Sequence, residues 1–210
     1  MFISPHYFYP TDSGWEFNGP LEADEFKTHS FARTGPLNLT GFTSSGADWL
    51  DRFNPYIEDG KTIVVSPHKV WGPQTNDLVL QLRKRGIGKV LLGGMLANIC
   101  VESHLRDLLE QGFEVTVVKD ATAGPRHPEW GDGYQAAMIN YKFLAHAVLS
   151  TDEAVERMRG RRDGTPAFRQ CGASPRYRLA GKDETLPVAR DTYCFRYCSD
   201  GSMTTRFNFV

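Results

Sequence analysis

One cysteine stands at the junction between a short apolar strand and an amphipathic helix. Cys100 follows the apolar run Val90–Leu92 and the pair Gly93-Gly94, and the helix that contains it ends at Gly112. A thiol at a helix N-terminus can act as a nucleophile, because the helix dipole and the free N–H groups stabilise the thiolate. The alternative is a buried structural cysteine, since a free cysteine packs like a small apolar residue. Both interpretations place Cys100 at the carboxyl end of a strand, where open α/β sheets bind their ligands.

The segments on either side of Cys100 alternate between strand and helix patterns. Apolar runs predict strands that end at Ile3 and that cover residues 62–66, 89–93, 114–119 and 148–150. Helical spacing predicts helices over residues 45–53, 75–85, 99–111, 133–147 and 151–158. Strands that alternate with helices indicate a parallel sheet with right-handed crossovers. The predicted fold is therefore a three-layer α-β-α structure with a mostly parallel, Rossmann-like sheet.

Residues 6–44 form a stretch that is too long for an ordinary connection and is rich in aromatic residues, Gly and Pro. Long connections are usually lids, binding loops or linkers. The aromatic content argues against a disordered linker. We therefore predict a loop that covers a substrate site or forms an interface, with a loop that packs over the core for stability alone as the alternative.

Composition excludes several classes of protein. The chain has 210 residues, enough for one α/β domain, and its net charge of −1 does not favour nucleic acid or a membrane surface as a partner. No apolar run approaches the ~20 residues of a membrane span, and the first residues lack the pattern of a signal peptide. Four cysteines are too few for a disulfide scaffold. We therefore expect a cytoplasmic protein with reduced thiols.

The residues around Cys100 form a long and ordered motif. Its parts are Gly94-Met-Leu-Ala-Asn-Ile-Cys100-Val101, Leu105-Arg-Asp-Leu-Leu109 and Gly112-Phe-Glu-Val-Thr-Val-Val-Lys-Asp-Ala121. The motif resembles that of the isochorismatase-like cysteine hydrolases, and the resemblance extends over residues 1–158. It implies one hydrolase domain over those residues, a small-molecule substrate and no cofactor.

The resemblance also implies roles for individual residues. Cys100 would be the nucleophile, and Lys69 would lower the pKa of its thiol and help to hold the substrate. A cis peptide bond between Met95 and Leu96 would aim backbone N–H groups, including that of Cys100, at the oxyanion of a tetrahedral intermediate. His6 and Trp71 are the candidates for substrate binding.

Two features depart from the family pattern. The family's opening strand, an apolar run that ends in a catalytic Asp, is absent before Phe2, so we expect the first central strand of the sheet to be missing. Asp12 is the nearest acidic residue, but it lies in a loop and is not assigned that role. The loop from Lys69 to Thr75 is shorter than in many family members, which leaves an ordinary surface lysine as the alternative for Lys69.

The histidines have more than one interpretation. His104 lies four residues after Cys100 on the same helix face, so it is either a base for the thiol or a packing residue. His6 and His68 lie near strand ends and are candidates to line the pocket. Some family members bind zinc through an Asp-x-His cluster, but no Asp stands two residues before His6, so we predict no metal.

These features favour a cysteine-dependent hydrolase that cleaves a small amide, ureido or related C–N bond through a covalent Cys100 intermediate. One alternative is a catalytically impaired pseudoenzyme of the same fold, which lacks the catalytic Asp. Another is a nucleotide-binding module, which only Gly93-Gly94 indicates, without the third glycine of that motif. By analogy with the family we expect a homo-oligomer, with residues 6–53 as the candidate interface.

Residues 159–210 differ in character from the rest of the chain. The net charge is −6 over residues 1–158 and +5 over residues 159–210, and no helical or strand period continues into the second segment. We predict an irregular or disordered tail. Cys171, Cys194 and Cys198 lie there, but the tail has no His and no second ligand pair, so a zinc site is disfavoured. Two further hypotheses are that Tyr193–Cys198 fills the vacant strand position and that the reading frame is altered at both ends.

Overall fold

Helices alternate with strands along the residues that this computed structural model describes, which are 1–9, 12, 19–30 and 44–160. The strands are β1 (Phe2–Ile3), β2 (Ile63–Val64), β3 (Lys89–Met95), β4 (Glu114–Ala123), β5 (Arg126–His127), β6 (Gly131–Asp132) and β7 (Ala147–Leu149). The helices are α1 (Pro20–Thr28), α2 (Asn54–Ile57), α3 (Leu78–Arg83), α4 (Glu102–Glu110), α5 (Gly133–Leu144) and α6 (Thr151–Gly160). The predicted tail, with Cys171, Cys194 and Cys198, lies outside the described residues from residue 161 onward.

The longer strands form a parallel ladder in the order β3-β4-β7, and β1 pairs in parallel with β2. A parallel bridge between His6 and His68 continues the β1–β2 pair. Among the described residues, no backbone ladder joins the β1–β2 pair to the β3-β4-β7 ladder. The carboxyl ends of parallel strands lie at one edge of a sheet, so β3 and β4 present the residues that follow them at a common edge.

Both faces of the longer ladder are buried. Val90, Leu92 and Val117 belong to the main apolar core, together with residues of α3, α4 and α5. Leu91 and Val118 alternate with them along the strands and are also buried, at 5% and 0% exposure. Because successive strand residues point to opposite faces, burial of both sets requires a layer on each side. The predicted three-layer α/β fold with a mostly parallel sheet is confirmed.

The long loop predicted over residues 6–44 contains a helix, α1. Pro20 occupies the first turn, and the side chain of Glu22 accepts the backbone N–H of Gly19 at 3.2 Å, which completes the helix start. Pro at the first turn and Glu at the third position are sequence signals of a helix N-terminus. α1 buries two acidic side chains, Glu22 and Glu25, at 8% and 7% exposure.

Two predicted helices begin later than the sequence indicates. Of the helix predicted over 45–53, only a 3-10 turn at Asp51–Phe53 is present, and it leads into α2, where Pro55 lies in the first turn and its fixed φ favours a helix start. Thr75 does not cap α3: its hydroxyl accepts the backbone N–H of Lys69 at 2.9 Å. α3 instead follows Asp77, whose carboxylate accepts the backbone N–H of Ser66 at 2.9 Å and thereby connects α3 to the end of β2.

Candidate active site

Cys100 lies in the first helical turn after β3. The strand ends at Met95, the peptide bond between Met95 and Leu96 is cis, and a wide π-helical turn runs from Ala97 to Val101. The carbonyl oxygen of Leu96 accepts the N–H of Val101 at 3.1 Å, which closes this turn. α4 continues the turn, so the thiol lies near the N-terminus of a helix, and the side chain of Cys100 is half-buried.

Two glycines allow β3 to approach β4 and to turn toward the thiol. A Cβ on Gly93 would lie 2.9 Å from the carbonyl oxygen of Ala121, which is closer than real Cβ contacts. Gly94 has a φ of +138°, a backbone conformation that residues other than glycine rarely adopt. The Gly93-Gly94 pair therefore has a structural role at the end of β3.

The helix α5 supports the turn that contains Cys100. The hydroxyl of the fully buried Tyr141 donates to the carbonyl oxygen of Ala97. Burial raises the pKa of Tyr141, so this hydroxyl keeps its proton. The side chain of Asn98 lies against Gly133, where an added Cβ would be 2.7 Å from Asn98 Oδ1. The position of Cys100 thus depends on packing between the turn and α5.

The protonation of the Cys100 thiol reflects opposing influences. Burial is the largest and raises its pKa, and the negative charge of Glu25 acts in the same direction. The backbone N–H groups of Leu96 and of Cys100 itself lower the pKa, because they stabilise the thiolate. The net pKa is raised, opposite to the direction expected from a thiol beside a helix N-terminus and Lys69, because burial outweighs the two N–H groups.

His104 connects the turn to the residue after β1. Its Nδ1 lies 2.8 Å from the carbonyl oxygen of Cys100 and therefore carries the proton. Its Nε2 then accepts the hydroxyl of Ser4 at 2.8 Å, and Asn76 Nδ2 donates to the same Ser4 oxygen at 2.8 Å. Burial lowers the pKa of His104 to about 4. His104 is thus a neutral, satisfied packing residue, as one of the two sequence interpretations holds.

His6 and His68 stack beside His104. The His6 and His68 ring centroids are 5.0 Å apart, and His68 meets the His104 ring edge-on at 5.0 Å. Burial is the largest cause that lowers the pKa of His68 to about 3. His6 Nε2 lies 3.3 Å from Glu25 Oε2, and both side chains are buried. The structure therefore places a buried carboxylate of α1 in this histidine cluster, which the sequence did not predict.

Lys69 pairs with an acidic residue that the sequence analysis set aside. Its Nζ lies 3.3 Å from Asp12 Oδ2 and 3.7 Å from the centroid of the Tyr9 ring. Asp12 also accepts the backbone N–H of Tyr9 at 2.7 Å, so the loop itself orients this carboxylate. Both partners of the pair remain partly exposed, Lys69 at 30% and Asp12 at 20%. Lys69 therefore has a specific carboxylate partner from the loop after β1.

The two residues predicted to bind substrate lie close together. The Trp71 and His6 ring centroids are 6.0 Å apart, and Trp71 is half-buried. Met95, at the end of β3, is 59% exposed. Within the described parts of the chain, no group of three or more His, Cys, Asp or Glu side chains is placed to hold a metal ion. The same residues contain no helix of the length and apolarity that crossing a membrane requires.

The parallel sheet with helices on both faces and a thiol at its carboxyl edge defines an isochorismatase-like α/β fold. Residues 15–153 match the family described as the isochorismatase domain. Because the match spans more than half of the chain, this protein belongs to the isochorismatase family. The family predicted from the motif around Cys100 is confirmed.

Curated relatives match parts of the chain. The uncharacterized isochorismatase family protein YwoC of Bacillus subtilis (strain 168) is 40% identical over 78 residues, which are 36% of this chain and 40% of YwoC. The ureidoacrylate amidohydrolase RutB of Stutzerimonas stutzeri (strain A1501) is 29% identical over 153 residues, which are 67% of this chain and 58% of RutB. The matches therefore span between 40% and 58% of the length of these relatives.

A solved structure has the same fold. The cysteine hydrolase from Pseudomonas syringae pv. phaseolicola 1448A superposes with a TM-score of 0.59 at 17% sequence identity. The superposition covers 76% of this chain and 71% of that chain. At this identity the similarity concerns the fold alone.

Proposed function

We propose that this protein is a cysteine-dependent hydrolase that cleaves an amide or ureido-type C–N bond of a small molecule. The observation that carries the proposal is the Cys100 thiol at the carboxyl end of β3, with two backbone N–H groups that stabilise its thiolate. Thiols at such positions are suited to nucleophilic catalysis, because the thiolate is intrinsically a strong nucleophile.

The proposed reaction has two stages. Cys100 first loses its thiol proton to water, and the thiolate Sγ then attacks the carbonyl carbon, so that a C–S bond forms and the π electrons of the carbonyl move to the oxygen. Backbone N–H groups of the turn, including those of Leu96 and Cys100, donate hydrogen bonds to this oxyanion. Met95, at the end of β3, is joined to Leu96 by the cis peptide bond. The intermediate then expels the nitrogen group, which takes up a proton, and water later hydrolyses the acyl-enzyme and restores the thiol.

The neighbouring side chains provide the substrate pocket in this proposal. His6 and Trp71 contact the substrate, and Lys69 supplies a positive charge that Asp12 holds in place. The 29% identity with RutB, which is named a ureidoacrylate amidohydrolase, supports ureido and amide compounds as the first candidates.

Trapping the covalent intermediate tests this function. Wild-type protein is mixed with a panel of small amides and ureido compounds, quenched in acid and measured by intact mass spectrometry. A mass gain of the intact protein is expected, and digestion should locate it on the Cys100 peptide. Cys100→Ala should lose the adduct and lower turnover by more than about a thousandfold. Cys171→Ser is the matched control and should keep both. Turnover by Cys100→Ala at the wild-type rate would refute the proposal.

A pseudoenzyme of the same fold is the second candidate. The raised pKa of the Cys100 thiol favours it, because less thiolate is then present at neutral pH. If no compound of the panel is hydrolysed and Cys100 is alkylated no faster than a free thiol at pH 7, the pseudoenzyme is the better description.

The proposal extends to the setting of the protein. A nucleophilic thiol requires reducing conditions, so we propose a cytoplasmic location. We also propose a homo-oligomer, which light scattering on the eluate of a size-exclusion column would measure. A monomer at all concentrations would refute the oligomer without affecting the chemistry proposed for Cys100.

A further inference from the structure

A chain of hydrogen bonds connects the residue after β1 to the backbone of Cys100. Ser4 Oγ lies 2.8 Å from His104 Nε2, and His104 Nδ1 lies 2.8 Å from the carbonyl oxygen of Cys100. At the other end, Asn76 Oδ1 accepts the backbone N–H of Leu78 at 3.0 Å, which leaves Nδ2 to donate to Ser4 Oγ at 2.8 Å. The chain therefore joins the end of β1 and the start of α3 to the turn that contains the thiol.

Each group in this chain has one hydrogen-bonding role. The Cys100 carbonyl can only accept, so His104 Nδ1 carries a proton. Burial, the largest influence on the ring, lowers its pKa to about 4 and outweighs the carbonyl groups of Cys100 and Trp71, which favour the protonated form. The neutral ring has no proton on Nε2, so this nitrogen accepts the hydroxyl of Ser4. The Ser4 oxygen accepts from Asn76 in turn, so the donors all point toward Cys100.

The carbonyl that His104 holds belongs to an irregular turn. The turn Ala97–Val101 is π-helical, and the carbonyl oxygen of Leu96 accepts both the N–H of Ile99 at 3.0 Å and that of Val101 at 3.1 Å. Such turns interrupt the regular hydrogen-bond pattern of a helix and are frequent at functional sites. The carbonyl carbon and the Cβ of Cys100 are both bonded to its Cα, so a fixed carbonyl restricts the positions that Sγ can occupy.

We propose that Ser4 is a positioning residue for the Cys100 nucleophile: its hydroxyl keeps the His104 ring in the Nδ1–H form, and the ring holds the Cys100 carbonyl. The inference rests on the proposed hydrolase function. Without the hydroxyl, the buried Nε2 loses its donor, the ring can take its proton on Nε2 instead, and the hydrogen bond to Cys100 is lost. Misplacement of a reacting group by about 1 Å can lower a rate by about a hundredfold. The effect should fall on kcat, because Ser4 acts on the backbone of the nucleophile.

Nitrogen-15 NMR of the histidine ring nitrogens at pH 7 tests the hydrogen-bond chain directly. His104→Gln identifies the signals of His104 by their loss. In wild type, Nδ1 should carry the proton and Nε2 should have none, whereas Ser4→Ala should shift both signals toward the Nε2–H form. Ser4→Thr, which keeps a hydroxyl, should restore the wild-type spectrum. An Nε2–H ring in wild type, or the same His104 signals in wild type and Ser4→Ala, would overturn the inference.

Ser66→Ala is the matched control. Ser66 follows β2 as Ser4 follows β1, and its hydroxyl donates to Asp77 Oδ1 at 3.0 Å at the start of α3. The control therefore removes a hydroxyl between the same two parts of the fold and leaves the chain from Asn76 to Cys100 intact. It should leave the His104 signals unchanged.

Asn76→Asp reverses the chain without removing a heavy atom. A carboxylate still accepts the Leu78 N–H, but it offers Ser4 an acceptor in place of a donor. The Ser4 hydroxyl should then turn toward residue 76, and the His104 signals should shift as in Ser4→Ala. This variant keeps the test open if Ser4→Ala does not fold, and an unchanged spectrum would again overturn the inference.

Turnover of a substrate found by trapping tests the catalytic consequence. Ser4→Ala should lower kcat by about tenfold to a hundredfold and leave KM within about twofold of wild type. Ser4→Thr should recover most of kcat, and Ser66→Ala should retain it. A merely structural role would lower the folded fraction instead, which urea unfolding measures separately. Wild-type kcat in Ser4→Ala, or a loss confined to KM, would overturn the inference. Absence of wild-type turnover would refute the hydrolase function itself, whereas the NMR spectra would still decide whether Ser4 fixes the His104 ring.

Discussion

The β3-β4-β7 ladder and the β1–β2 pair contribute to the site in different ways. In the ladder, β3 has seven residues and β4 has ten, and both faces of the ladder are buried. Cys100 lies in the turn that follows β3. The β1–β2 pair has strands of two residues each, and the segments that follow it carry His6, His68 and Lys69. Cys100 therefore belongs to a well-packed region, whereas His6, His68 and Lys69 belong to segments with few backbone bonds of their own.

The two regions therefore differ in what they contribute: apolar burial in the ladder, and ionisable side chains in the segments after β1 and β2. Long buried strands stabilise a domain through apolar burial, which needs no particular partner residue. Ionisable side chains are positioned by specific hydrogen bonds and ion pairs, which short elements can bring together at a strand edge. We expect substitutions in the two regions to differ accordingly, in stability on one side and in charge effects on the other.

The largest expected contrast comes from the same substitution in both regions. Val117→Ala in β4 removes two methyl groups from a side chain with 0% exposure, and should lower the free energy of unfolding by about 2–3 kcal/mol. Val64→Ala in β2, where the side chain is 43% exposed, should change it by less than about 0.5 kcal/mol. Urea unfolding measures both values. Equal losses would show that the β1–β2 pair is packed as tightly as the ladder.

The free energy of unfolding should depend on pH through His68, which follows β2, and His104, which lies on α4. The pKa values of His68 and His104 are lowered to about 3 and about 4 in the folded protein, below the ordinary 6.5. Between the lowered pKa and 6.5, the unfolded chain therefore binds more protons than the folded one. Stability should be complete above pH 6.5 and decline as the pH falls. Each histidine contributes about 2 kcal/mol of loss between pH 7 and pH 5.

The variant His104→Gln sharpens this test, because glutamine keeps a donor toward the Cys100 carbonyl but does not titrate. The decline in unfolding free energy from pH 7 to pH 5 should become smaller by about 2 kcal/mol. His127→Gln, at an exposed position, should leave the decline unchanged. The same pH dependence in wild type and His104→Gln would contradict the assignment of His104 as a buried neutral ring.

The smallest expected effect is that of the ion pair in the loop after β1. Asp12→Asn removes the partner of Lys69, and should lower the free energy of unfolding by less than about 1 kcal/mol, with a smaller difference in 1 M salt. Glu114→Gln, which breaks the more exposed pair with Lys89 between β3 and β4, is the control and should have an effect no larger. A loss of several kcal/mol for Asp12→Asn would mean that this loop is essential to the core.

Local sequence was sufficient to predict the ladder and the position of Cys100 in it. Val90–Leu92, the glycine pair and the amphipathic helix determine a strand, a tight turn and a helix start, all of which involve neighbours in the chain. The helix α1 was also present in the sequence as Pro20 and Glu22, but the aromatic residues around it indicated a loop instead. Signals of helix start, given more weight there, would have found the element that carries Glu25.

The sequence by itself determined the family, the parallel α/β fold and the place of Cys100 at a strand end, because these follow from periodicity and from contacts between near neighbours. Only the tertiary structure decided which ionisable side chains pair with each other. Glu25 reaches His6, and Asp12 reaches Lys69, across 19 and 57 residues of chain. Burial likewise depends on the whole packed domain, and it reverses the direction expected for the pKa of Cys100. Long-range contacts and desolvation have no local sequence signal, so only the folded chain reveals them.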